Sequence, residues 1–212
     1  MKSRSSDSST PSYASIAADP VGSDQAVVTV RPAGAGDVAT LAGVAAATFG
    51  LACPPSMTRD RVGAFIAEVL SPERFAGYVA DRTRHLLLAE ASGSALGYAM
   101  LVGGEPSDDD VRAAIRLRPT VELSKIYVLP QAHGAGAAAL LMAEALEWAR
   151  RSGAAGVWLG VNQQNERAQR FYGKNGFERV GTKRFLVGGV HEDDYVMERA
   201  LDAPPPHSHS PD

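Results

Sequence analysis

Between an apolar run and an alanine-rich stretch, the chain carries Gln131, Ala132, His133, Gly134, Ala135 and Gly136. Glycines two apart can both take a positive φ and present no side chain, so successive backbone N–H groups can turn toward one anion. A helix starting directly behind them adds the positive end of its dipole. The chemistry this spacing offers is phosphate binding, and the neighbours must say which phosphate compound.

Two phosphate loops fit poorly. A nucleoside-triphosphate loop needs a lysine and a hydroxyl residue after its last glycine, where this chain has Ala137, Ala138 and Ala139. A dinucleotide fingerprint matches Gly134, Gly136 and Ala139, but the following strand should end in an acid for the ribose and instead ends at Val161 and Asn162.

The loop needs a scaffold, and residue patterning supplies one. Strands are expected at residues 27–30, 84–91, 95–102, 120–128, 156–161, 177–187 and 190–199. Helices are expected from Asp37, as a cap, toward Phe49, from Thr58 to Leu70, briefly from Val111, after Gly136, and from Asn165 to Asn175. The order is β-α-α-β-β-β-α-β-α-β-β with a short helix before the fourth strand. One strand–helix–parallel strand unit inside antiparallel neighbours makes a mixed α/β sheet of about seven strands, twisted and mostly antiparallel, with helices on both faces.

With its surroundings included, the loop resembles the GCN5-related N-acetyltransferase (GNAT) superfamily. Gln131, Gly134 and Gly136 fit that family's Q/R-x-x-G-x-G/A signature for acetyl-coenzyme A. Downstream, Asn165, Ala168, Phe171, Tyr172, Gly176 and Phe177 fit its N-x-x-A-x-x-F-Y-x-x-x-G-F segment. Two motifs in order are far more specific than either alone. The resemblance implies that Ile126, Tyr127 and Val128 carry the pantetheine arm along a splayed strand. It implies too that backbone N–H groups of Gln131, Ala132, His133, Gly134, Ala135, Gly136 and Ala137 hold the pyrophosphate, with Asn165 and Tyr172 also touching the coenzyme.

Acetyl transfer to an amine needs a neutral nucleophile, and an alkyl ammonium with a pKa of about 10.4 must first lose its proton. Glu122 is the expected general base, directly or through water, because family members place a carboxylate on this strand. Strict alternation puts Glu122 and Ser124 on one face and Val121 and Leu123 on the other. Tyr172 is the expected general acid for the leaving thiolate, and an N–H of Ile126 or Val128 the donor to the thioester oxygen. Cys53 lies outside both motifs, so direct transfer in a ternary complex is expected.

The rest of the chain sets limits. A net charge of −3 gives no reason to expect nucleic acid, and apolar runs such as residues 86–89 are far too short to span a membrane. Cys53 is the sole cysteine, which excludes an internal disulfide and a cysteine-rich metal site; no metal is expected. Residues 1–26 and 203–212 read as disordered tails around a single acetyltransferase domain at 27–202, cytoplasmic, monomeric or a homodimer. Two acidic clusters, Asp108 to Asp110 and Glu192 to Asp194, favour a small cationic amine such as a polyamine. The Phe185, Gly188, Asp193 spacing resembles a bacterial branch that includes polyamine acetyltransferases. Acetylation of a protein lysine or N-terminus, acetylation of an aminoglycoside-like drug, and non-catalytic acyl-CoA sensing remain open.

Overall fold

The computed structural model describes residues 27–53, 57–187 and 190–201. The expected tails, Pro54 and Pro55 beside Cys53, and Gly188 of the Phe185 pattern lie outside the described residues.

Seven strands form one sheet in the order β1-β2-β3-β4-β5-β7-β6. They are β1 (Thr29–Pro32), β2 (Arg84–Ala91), β3 (Ser94–Gly103), β4 (Thr120–Val128), β5 (Gly156–Asn162), β6 (Glu178–Val187) and β7 (Val190–Ala200). Every neighbouring pair is antiparallel except β4 and β5. The parallel pair is joined by α5 (Ala137–Arg151), because parallel strands need a crossover and its length suits a helix.

Each sheet face has its own core. Against one face pack Leu141, Met142, Ala145 and Ala149 of α5, meeting Leu87, Leu101, Leu123 and Leu159 of the strands. The other face is covered by α1 (Val38–Ala52), α2 (Arg59–Val69) and α3 (Pro72–Ala80), whose Leu41, Ala45, Phe49 and Phe75 bury Leu86, Leu88 and Tyr98. A smaller cluster joins Val111 and Ile115, on and just beyond α4 (Asp109–Ala114), to Trp158 and Val196.

Three departures from expectation have local causes. The helix α3 was not foreseen, although Ser71 caps it by accepting from the Arg74 N–H and Pro72 supplies a preset φ at its first position. Asp37 precedes α1 but makes no side-chain cap; its carboxylate binds the Arg31 guanidinium at 2.7 Å and accepts from the Gly34 N–H. Those bonds hold it near pKa 2, with the Arg31 contact the larger cause. Finally, residues Ala35–Ala52 are long and apolar enough to cross a membrane by length and composition alone. Their buried stripe of Leu41, Val44, Ala45, Thr48 and Phe49 is committed to the core.

One glycine holds the frame of the site. Gly97 of β3 lies opposite Val128 of β4, and a Cβ there would stand 2.5 Å from the Tyr127 carbonyl oxygen and 3.0 Å from the Val128 Cα. Backbone cannot give way as a side-chain tip can. Gly97→Ala is therefore expected to cost about 1–3 kcal/mol of stability, as overpacked sites do. It would also displace the end of β4; a urea midpoint unchanged from the parent would contradict this.

Candidate active site

Strands β4 and β5 pair only through Thr120, Val121 and Glu122, opposite Gly156, Val157 and Trp158. Beyond Glu122 they part, and a cavity of about 400 Å³ opens between them. Glu122 thus sits at the apex of a V, at the last residue held on both sides, by Val102 and by Trp158.

A bulge in β4 decides which side chains enter the cavity from which face. Leu101 of β3 pairs with Leu123 and Met100 with Lys125, so Ser124 is the extra residue. The expected alternation fails at this point. Ile126 and Val128 join Leu123 against the α5 core, while Tyr127 packs with the α1–α3 core. Lys125 lies 6.0 Å from the Tyr78 ring of α3, on the side that Tyr127 faces. Glu122 therefore shares its face with Lys125 and Tyr127 and not with Ser124.

The backbone of β4 has a free edge along the gap. Leu129 donates its N–H to the Leu96 carbonyl on the β3 side, and backbone groups alternate, so those of Ile126 and Val128 point toward the opening. The same alternation sends the backbone groups of Tyr127 to β3, while Tyr127 lines the cavity and packs with the α1–α3 core. A ring nitrogen of His133 stands 3.2 Å from the Val128 carbonyl oxygen, tying the loop to the strand.

The glycine loop has the expected backbone but a narrower cradle. Gly134 and Gly136 have φ of 88° and 82°, and Gly136 stands directly before α5. The N–H groups of Ala132, His133 and Ala135 are used within the loop, donating to the Leu129, Pro130 and Ala132 carbonyls. Among the described residues, those of Gln131, Gly134, Gly136 and Ala137 have no such acceptor. Four N–H groups of the seven are left to meet an anion, three of them at the helix start and that of the exposed Gln131 at the rim. Ala137 is buried and keeps the first turn close to the sheet.

The second motif forms α6 (Glu166–Lys174), which closes one side of the gap. Asn165 caps it, its Oδ1 accepting from the Ala168 N–H at 3.0 Å, which commits that oxygen to structure. Tyr172 stands edge-on to Phe171 and Phe177, with centroids 5.6 and 6.0 Å away. Burial pushes its hydroxyl up to about pKa 12, so it keeps its proton throughout the neutral range.

From the sequence, Asp194 is one charge in the Glu192 to Asp194 cluster. It is 7% exposed, lies in the cavity wall opposite Asn162 of β5, and burial raises its carboxyl to about pKa 6 despite the neighbouring Lys183. Gly160 makes room for this pair, since a Cβ there would be 2.7 Å from Lys183 Cε and 3.3 Å from Asp194 Oδ2. The signal in the sequence was the strand alternation of β7, which turns Asp194, Val196 and Glu198 inward and Asp193 outward. Asp108 to Asp110, by contrast, do not line the cavity. Asp108 caps α4 and Asp109 pairs with Arg112. A wider depression of about 680 Å³, around Arg116, Lys174 and Glu198, contains none of the groups that face the gap.

A parallel strand pair that splays above a glycine loop at a helix start is the frame of a coenzyme A-dependent acyltransferase of the GNAT type. The chain belongs to the acetyltransferase (GNAT) family, whose profile matches residues 55–177. An uncharacterized N-acetyltransferase of Mycobacterium tuberculosis is 49% identical over 165 residues, covering 78% of this chain and 98% of that relative. Among solved structures, the PaiA N-acetyltransferase of Thermoplasma acidophilum, in complex with coenzyme A, matches with a TM-score of 0.65 at 20% identity. That match covers 82% of this chain and 99% of the other. A Salmonella typhimurium chain solved with its cofactor acetyl-CoA has a TM-score of 0.57 at 23% identity, covering 88% and 98%. The protein is an acetyl-CoA-dependent N-acetyltransferase.

Proposed function

We propose that this enzyme moves the acetyl group directly to a primary amine in a ternary complex, with Glu122 as general base and Tyr172 as general acid. The observation that carries the reading is the opening of β4 from β5 immediately beyond Glu122. It leaves the backbone of Ile126 and the N–H of Val128 without a strand partner beside the glycine loop, where His133 meets the Val128 carbonyl, with a carboxylate at the apex on the opposite face.

Acetyl-CoA supplies the activated acyl carbon. The N–H groups of Gly134, Gly136 and Ala137 are available to its pyrophosphate, and the free β4 edge can take the thin pantetheine arm as it would an added strand. An N–H of Ile126 or Val128 donates to the thioester oxygen. Glu122 accepts the ammonium proton, directly or through a water, and Tyr172 donates to the departing sulfur. Cys53 does not suit an acyl carrier: its thiol donates to the Phe49 carbonyl at 3.3 Å, and burial pushes it up to about pKa 11. Of the acidic groups that favour a cationic acceptor, Glu122, Glu192 and Asp194 face the cavity.

Acetyl-CoA at a hundred times its Kd should stabilise the fold by about 2.7 kcal/mol, and an amine panel should release free thiol. Stabilisation by NAD in place of acetyl-CoA would reject the coenzyme assignment. Binding without thiol release from any amine would leave an acyl-CoA sensor. Tyr172→Phe should slow turnover roughly 10²-fold, at the low end for acid catalysis because a thiolate is a fair leaving group. Its acetyl-CoA melting shift should stay, and parental turnover would return Tyr172 to a packing role.

A further inference from the structure

We infer that the acceptor carries an anionic group beside its reacting amine and that Lys125 receives it; a free α-amino acid with an apolar side chain fits this description. The inference rests on the acetyltransferase reading of the same cleft and adds the chemical class of the acceptor.

The first observation is the position of Lys125. The Ser124 bulge turns its side chain into the acceptor half of the cavity, on the face shared by Glu122 and Tyr127. Without the bulge it would face the α5 core. Its side chain is half-buried and its ammonium has neither a hydrogen-bond acceptor nor a carboxylate within 4.0 Å among the described residues; the Tyr78 ring lies at 6.0 Å, and Glu122 is the acid whose charge reaches it from farther off. Arg84, over the same ring at 4.7 Å, adds a second cation behind it and is itself paired with Asp81. A half-buried ammonium with no carboxylate in contact suits a group whose nearest counter-ion arrives with the substrate. Burial lowers Lys125 to about pKa 8, so it is still charged at neutrality.

The second observation is the charge balance. The cavity wall holds three acids, Glu122, Glu192 and Asp194, and three bases, Lys125, Arg167 and Lys183. A site for a polyamine is best lined by an excess of acids, since each cation in the wall repels such a substrate. Here Asp194 already has Lys183 beside it and Glu122 shares a face with Lys125, so acids and bases alternate in the wall, which suits a substrate carrying both an ammonium and an anion.

The third observation is the apolar wall. Phe49 and Phe65 stack with centroids 4.4 Å apart, and Met57 and Leu51 continue that surface, Leu51 being 66% exposed at the mouth. This surface fits an apolar body attached to the charged head. A protein N-terminus fits less well, because its first carboxylate is replaced by an amide.

The test measures thiol release from acetyl-CoA with L-phenylalanine and L-leucine, their amides, their decarboxylated amines, and spermidine. The free amino acids should have kcat/KM at least tenfold above their amides and amines. Lys125→Met should lower kcat/KM for the amino acids by roughly 10- to 100-fold, as loss of one partner of a desolvated charge pair does. Lys125→Arg should retain most of it. Both variants should keep the acetyl-CoA melting shift, which reports folding and coenzyme binding separately. Equal or better turnover of the amides, the amines or spermidine would overturn the inference, as would a Lys125→Met enzyme with parental amino-acid kinetics. Acetyl-CoA binding with no turnover of any compound in the panel would also overturn it and leave the coenzyme site standing. Absence of acetyl-CoA binding would remove the underlying function as well.

Discussion

Glu122→Gln lowers kcat by roughly 10²- to 10⁴-fold at neutral pH, the range expected when a positioned general base is removed, and leaves acetyl-CoA affinity at its parental value. The substitution keeps the shape of the side chain and its place at the apex, where Glu122 is held between Val102 and Trp158. It removes the group that takes the ammonium proton. The variant then depends on acceptor that is already neutral, a fraction that rises about tenfold per pH unit below the amine pKa. Its rate should climb steeply with pH and approach the parent in alkaline solution. A pH–rate profile parallel to the parent would reject the assignment.

Asp194 is the control for that experiment. It takes up a proton as pH falls through about 6. If it serves to hold the ammonium, Asp194→Asn should raise KM for the amine more than it lowers kcat, and the parent should show a similar rise in KM below pH 6. A larger kcat loss in Asp194→Asn than in Glu122→Gln would move the base to β7.

Gly136→Val should weaken acetyl-CoA binding by about 10- to 100-fold, the equivalent of losing one charge-assisted hydrogen bond. Gly136 has φ of 82° directly before α5, where a β-branched residue is strained, by about 1–2 kcal/mol on general grounds. No atom lies within 4 Å of the position a Cβ would take, so steric crowding inside the protein is not the cause. The added side chain instead stands beside N–H groups that would meet the pyrophosphate, and it favours a backbone that turns them away. Calorimetric titration with acetyl-CoA measures the loss. Gly43→Ala, at a helical glycine whose Cβ position is equally open, is the matched control and should bind normally. Equal affinities in the two variants would mean that Gly136 is not part of the cradle.

Much of this frame could be read along the chain because its signals are local. A glycine loop between a strand and a helix, and an asparagine that starts a helix carrying Phe171 and Tyr172, each lie within a few turns of backbone. Those two motifs led to the family. The α3 helix was missed although its Ser71 and Pro72 start is equally local, because its short apolar stripe has only Phe75 fully buried.

What remained hidden depends on partners distant in sequence. The bulge at Ser124 exists only in the pairing of β4 with β3, and it reverses the faces that alternation assigns to every residue from Lys125 to Val128. That reversal brings Lys125 to the face of Glu122 and turns the Tyr127 ring toward the α1–α3 core. Likewise Asp193 and Asp194 are equivalent as letters, but β5 on one side and β6 on the other make one an exposed charge and the other a buried one.

By itself, then, the sequence determined the coenzyme and the order of elements, because phosphate loops, helix caps and strand periods are set by backbone geometry over a few residues. Only the tertiary structure decided which charges face the acceptor. Strand register and burial are properties of the closed sheet, and a shift of one residue turns a side chain from one face to the other.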